Sequence, residues 1–170
     1  PSIVINPETP TFEIQGDVAL DRRTGLMWDR AYFEATPETW KDPQPAVTLA
    51  ASACEASRVG GYDDWRLPTR LELHSMLDHG TCRPAIDLEV FPDTPSSFRS
   101  PFWSSTSHFQ GAEGLMQYAV GLHLGSITYN GDVTKPTWAR CVRSTRDATP
   151  PAVAFEIVGS TVRDHRTGLE

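Results

Sequence analysis

The alternation of apolar and polar positions near the start of the chain predicts a β hairpin. Val18-Ala19-Leu20 reads as a short strand, Asp21-Arg22-Arg23-Thr24-Gly25 as its turn, and Leu26-Met27-Trp28 as the return strand. Asp21 has a carboxylate to accept hydrogen bonds from the turn backbone, and Gly25 supplies the position with positive φ. A polar stretch interrupted by prolines follows, from Asp29 to Pro45, with Trp40 as its expected anchor. The period then changes to that of a helix over residues 46–58, with Ala46, Leu49, Ala50, Ala53 and Cys54 on one stripe. Gly60-Gly61 is its expected stop. A second helix is predicted to start after Pro68, where Thr69 and Glu72 have the spacing of a capping box. Leu73, Met76 and Leu77 form its expected buried face, and Gly80 its end.

Residues 81–101 read as a long loop punctuated by proline. Phe102-Trp103 reads as a strand entering the core, followed by a Ser/Thr run. From Gln117 to Leu124 the alternation places Tyr118, Val120, Leu122 and Leu124 on one face. Gly125-Ser126 fits a two-residue II′ turn, and Ile127-Thr128-Tyr129 returns. Thr137 to Arg143 is the last predicted strand and carries Cys141. A hairpin, two helices, a long loop and a late antiparallel sheet make an α+β layout. Trp28, Trp65, Trp103 and Trp138 are expected in the core, each indole N–H needing a partner.

The chain also repeats part of itself. Phe12-Glu13-Ile14 returns as Phe155-Glu156-Ile157, Gly16 as Gly159, Asp21 as Asp164, and Arg23-Thr24-Gly25-Leu26 as Arg166-Thr167-Gly168-Leu169, at a constant offset of 143 residues. A domain-sized offset predicts tandem units. Residues 1–16 then form a linker and opening strand, 17–146 one complete domain, 147–152 a second linker, and 153–170 the severed first hairpin of another copy. Recurrence makes the Asp21–Gly25 turn a fold-defining element rather than a catalytic loop. The apolar edge of 153–169 is expected to pack on the first domain or to drive self-association. The chain opens on Pro1 without a visible signal peptide, as expected of a processed or truncated form.

Composition narrows the function. The net charge is −7 and the pI about 5.2, which disfavours nucleic acid and weakens the case for a sulfated polysaccharide. No run approaches the ~18 apolar residues that suggest a membrane span. Cys54, Cys82 and Cys141 contain no C-x-x-C pair, and sequence alone leaves all three pairings open. His74, Asp78, His79 and Cys82 offer zinc-type ligands, but residues five apart diverge by about 140° on an ideal helix, so surface histidines are the expected reading. Asp87, Glu89 and Asp93 leave calcium open, although no lectin sugar tripeptide occurs. Asp63 and Asp64 are expected to serve a tight turn and to pair with Arg66. Ser104, Ser105 and His108 lack a nucleophile-elbow context and read as hydrogen-bonding residues.

Taken in order, these motifs resemble a known family. They are Asp21-x-Arg-Thr-Gly-Leu-Met-Trp28, Cys54-Glu55, Gly61-Tyr-Asp-Asp-Trp-Arg-Leu-Pro-Thr69 with Glu72, Pro84-Ala-Ile-Asp87, Phe91-Pro92, Phe102-Trp-Ser-Ser-Thr106 and Arg140-Cys-Val-Arg143. The succession, over residues 17 to 144, resembles the Legionella collagen-like protein C-terminal domain family of bacterial surface, periplasmic and lipoprotein modules. Arg66-Leu-Pro-Thr69 with Glu72 also resembles the formylglycine-generating enzyme superfamily, which implies a C-type-lectin-like fold. The resemblance implies a disulfide between Cys54 and Cys141, leaving Cys82 as a free, partly buried thiol. Asp21, Gly25, Trp28, Trp65, Arg66, Pro68, Thr69, Glu72 and Trp103 then become framework residues. The implied function is a non-catalytic adhesion module of the cell envelope, extracellular, on the outer-membrane surface or periplasmic. It would recognise polysaccharide or protein through loops 81–101 and 107–116, with Arg83, Arg99, Trp40 and His108 as candidate contacts. No cofactor is expected. A structural or protein-interaction repeat is the first alternative, and a formylglycine-generating oxidase, which needs a thiolate pair, the second.

Overall fold

A computed structural model describes residues 12–36, 44–78, 80–95, 101–109, 115–129, 137–145, 155–159 and 161–164. The predicted hairpin forms its turn through Asp21. The Asp21 carboxylate accepts from the Arg23 amide at 2.9 Å and the Thr24 hydroxyl at 2.7 Å. Its carbonyl accepts from the Gly25 amide at 2.8 Å, with Gly25 at φ +69°. The flanking strands are β2 (Val18–Asp21) and β3 (Leu26–Asp29), and β1 (Phe12–Gln15) adds to the outer side of β2. Strand β9 (Val142–Ser144) closes this four-stranded antiparallel sheet on β3.

A second sheet has the order β4-β8-β5-β6-β7, made of β4 (Phe33–Glu34), β5 (Pro101–Phe109), β6 (Leu115–Gly121), β7 (Ser126–Tyr129) and β8 (Trp138–Ala139). The stretch 137–143 is therefore not one strand. It breaks at Arg140-Cys141, so β8 pairs in one sheet and β9 in the other. Leu122–Gly125 forms a four-residue turn rather than the expected two-residue one, because Gly121 and Ser126 are the last paired residues. Leu124 falls in that turn and is exposed.

Alternation along the strands feeds two cores instead of one. Ala19, Leu26, Trp28, Phe102, Val120 and Val142 join one cluster. Val18, Met27, Trp103, Ala119 and Cys141 join the other. That is why Gln117 and Ala119 are buried although β6 was expected to bury only one face. Gln117 meets the cost of burial by donating to the Ser104 carbonyl at 2.7 Å, at the bulge where the β5–β6 register shifts.

Helix α1 (Gln44–Ala56) buries Ala46, Val47, Ala50 and Cys54, whereas Leu49 is 70% exposed and Ala53 points outward. Small residues at i, i+4 and i+8 form the contact row because the helix approaches closely enough for Cys54 to bond Cys141, with Cα atoms 5.4 Å apart. The helix ends before Gly60-Gly61. Both glycines have positive φ, and they shape the turn that follows. Trp65 and Trp103 are buried and donate to the Val59 and Ala35 carbonyls. The Trp28 and Trp138 indoles have no hydrogen-bond partner among the described residues, and Trp138 is only partly buried.

Helix α2 (Arg70–Ser75) has the predicted capping box. Thr69 Oγ1 accepts from the Glu72 amide, and Glu72 Oε2 accepts from the Thr69 amide at 2.7 Å. Leu73, Met76 and Leu77 are buried as expected, but the helix stops at Ser75, short of Gly80. Arg66 makes a bidentate pair with Glu72 (2.6 and 2.8 Å) rather than with Asp63 or Asp64. Burial pushes the Glu72 carboxyl up, but the bonds from Arg66 and Thr69 outweigh it and hold it below the ordinary 4.5. A carboxyl lowered by folding contributes stability that is present above its unfolded pKa and lost as pH falls through its folded one. Glu72→Ala should cost about 1–2 kcal/mol at neutral pH. In denaturant titrations, its difference from the wild type should shrink steadily below pH 4.5.

Strands β10 (Phe155–Val158) and β11 (Thr161–Asp164) form a two-stranded antiparallel sheet. Phe155 pairs with Asp164 as Phe12 pairs with Asp21, and each pair encloses a glycine of positive φ. Residues 1–11 of the expected opening linker and all of the expected linker 147–152 lie outside the described residues.

Candidate functional site

Of the four residues expected to contact a ligand, only Arg83 has its side chain among the described residues. Arg83 is exposed, and its amide donates to the His123 carbonyl at 2.9 Å, tying the start of the loop to the β6–β7 turn. Trp40 and Arg99 lie outside the described residues, as does the side chain of His108, whose backbone pairs with Met116. Segment 107–116 is strand at both ends, to Phe109 in β5 and from Leu115 in β6. Cys82 is free but exposed, which corrects the expectation of partial burial; it precedes the buried run Pro84-Ala85-Ile86.

The described part of the long loop, residues 81–95, contributes two short buried runs and Thr94 to the interior. Ala85, Ile86, Val90 and Phe91 are buried in the cluster with Trp28. Two arginines fasten it. Arg30 donates to the carbonyls of Val90 and Glu89, at 2.7 and 3.1 Å. Arg140, fully buried, donates to the carbonyls of Asp29 and Arg30 and to Thr94 Oγ1 at 2.9 Å. Its guanidinium also lies 4.7 Å from the Phe91 ring centroid. Burial lowers the Arg140 pKa to about 10, against the opposing pull of Asp29. Burial in turn pushes the Asp29 carboxyl up, opposed by the Ala31 amide and by Arg140. Asp87, considered for calcium, accepts from the Glu89 amide at 2.8 Å within the loop. Among the described residues no group of three His, Cys, Asp or Glu side chains is placed to hold a metal ion.

A cleft of about 480 Å³ opens elsewhere, beside the first sheet. Strands β2 and β3 contribute Leu20 and Met27, β9 contributes Arg143, and Thr145 follows it. The opposite wall is the turn Gly61-Tyr62-Asp63-Asp64. Gly61, at φ +81°, allows the tight path that brings three polar side chains to one wall. Arg143 is mostly buried and holds Asp64 through Nε and Nη2, at 2.5 and 3.2 Å. Its Nη1 meets the Met27 sulfur at 3.6 Å, and its guanidinium lies 3.9 Å from the Tyr62 ring centroid. Asp63 is exposed, and the Asp64 side chain keeps 48% of its surface.

The sequence profile of the Lcl C-terminal domain matches residues 17–143. The chain belongs to the Lcl C-terminal domain family. Comparison with curated proteins gives no match. The matched span of this Lcl C-terminal domain holds both bonded cysteines and every residue of the cleft except Thr145. The cleft was not legible in the sequence because Asp64 and Arg143 are 79 residues apart. The available signal was a Tyr-Asp-Asp run after two glycines, whose aspartates were expected to serve a tight turn and pair with Arg66.

Proposed function

We propose that this Lcl C-terminal domain is a non-catalytic binding module of a bacterial cell-envelope protein. The observation that carries the reading is the mixed apolar and polar cleft on a frame whose helix and sheet are joined by a buried disulfide. Its volume lies within the ~300–1,000 Å³ of small-ligand sites, and its lining sets the apolar Leu20 and Met27 beside the polar side chains of Tyr62, Asp63, Asp64, Arg143 and Thr145. Disulfides persist in oxidising compartments, which supports an extracellular or periplasmic location. Among the described residues, no helix is long and apolar enough to cross a membrane. Cys54 and Cys141 are bonded to each other, so they do not supply the thiolate pair of a formylglycine-generating oxidase. Assignment of the α+β layout to the C-type-lectin-like class belongs to this same reading.

The purified, disulfide-intact chain should therefore show saturable binding to a polysaccharide or a protein. A glycan array with and without chelator, run beside a pull-down from envelope extract, checks this. Blanks in both would count against a binding module and favour an architectural role. The equal registers of β1–β2 and β10–β11 support that second reading, in which the unit is a repeating structural element.

A further inference from the structure

We infer that the cleft takes a cationic side chain, arginine or lysine, presented by a partner protein. The inference rests on the binding-module reading and adds the chemistry of the ligand. Three groups set the charge of the cleft: Asp63, Asp64 and Arg143. Arg143 offers little to an anion, because its guanidinium already engages Asp64, the Met27 sulfur and the Tyr62 ring. An incoming phosphate, sulfate or carboxylate would meet two carboxylates and an arginine side chain that is only 8% exposed. The carboxylates remain accessible. Asp63 is exposed, and the Asp64 side chain keeps 48% of its surface.

The apolar wall fits the same class. Leu20 and Met27 lie on one side of the cleft, and long basic side chains lay their methylenes along such surface while the charged head reaches polar groups. Arginine and lysine combine an aliphatic stem with a donor-only head. One face of the Tyr62 ring already carries the Arg143 guanidinium and is closed to a stacking sugar. The net charge of −7 adds a long-range field that draws basic partners.

The test uses the full, oxidised chain, isotopically labelled, titrated with acetyl-Gly-Arg-Gly-amide, its lysine counterpart and acetyl-Gly-Glu-Gly-amide. The expected result is saturable shifts of the Met27, Tyr62, Asp63 and Asp64 amides with the two basic peptides, at a Kd on the order of 1 mM, which suits one small contact. The acidic peptide should leave them unmoved. Asp63→Asn, which leaves the Asp64–Arg143 pair in place, should weaken binding about three- to fivefold, as for an exposed ion pair. Raising salt from about 0.01 to 0.1 M shortens the screening length from ~30 to ~10 Å and should weaken it further. Equal shifts with the acidic peptide, or no shifts at the cleft with either basic one, would overturn the inference. A glycan that binds at these amides while the peptides do not would overturn it too, yet leave the binding-module reading standing.

Discussion

Replacing Cys54 and Cys141 together by alanine is expected to lower the unfolding free energy by about 4–5 kcal/mol. The bond spans 87 residues, and closing a loop of that length removes roughly this much chain entropy from the unfolded state. Alanine is the right replacement because both positions are buried against apolar neighbours, where a serine hydroxyl would need a partner. For a chain of this size the loss corresponds to a fall in Tm of about 10–20 °C. Calorimetry of the double variant checks the value, and reductant should bring the wild type down to meet it. An unchanged Tm in both would mean that α1 stays docked without its covalent tie.

Arg140→Ala should cost about 3–5 kcal/mol, the usual penalty for breaking a buried charged network. Truncation leaves the carbonyls of Asp29 and Arg30 and the Thr94 hydroxyl without their donor, beside a void lined by Phe91 and Phe102. Arg140→Met refills the void without restoring the donors, so its cost should fall between wild type and alanine. Arg140→Lys keeps the charge but lacks the planar fork that reaches three acceptors, and should also lose stability. Denaturant titrations of the three variants separate volume, charge and geometry. The pH dependence has a definite sign. A base whose pKa is lowered to about 10 on folding is disfavoured in its charged form by the native state. Its own contribution to stability therefore rises as pH climbs above about 10, towards the higher unfolded value. The stability difference between wild type and Arg140→Met should move in the wild type's favour across that window.

Legibility in the sequence followed the range of the interactions involved. The Asp21 turn and the Thr69–Glu72 capping box were readable because each is closed by residues at most four apart. The disulfide came from the family resemblance, since three cysteines by themselves allow any pairing. Arg66 shows the limit of local reasoning. Two nearby aspartates were its expected partners, but the capping box had already placed Glu72 within reach. Asp64 went instead to Arg143, on a strand that only folding brings alongside. Leu49 was misplaced for a related reason: helical periodicity gives two overlapping stripes, and the close approach of α1 selects the one made of small residues.

By itself the sequence determined the hairpin, the second helix with its cap, the α+β class and the family, because each depends on short spacings or on ordered motifs. Only the tertiary structure decided that residues 137–143 divide between two sheets and that the described part of the 81–101 loop is pinned by Arg30 and Arg140. It also created the cleft, from residues far apart in the chain. The physical reason is the same throughout. A turn or a cap is stabilised by bonds a few residues apart, which composition and spacing reveal. The partner of a buried guanidinium, or the wall of a cleft, depends on which surfaces the two cores bring together.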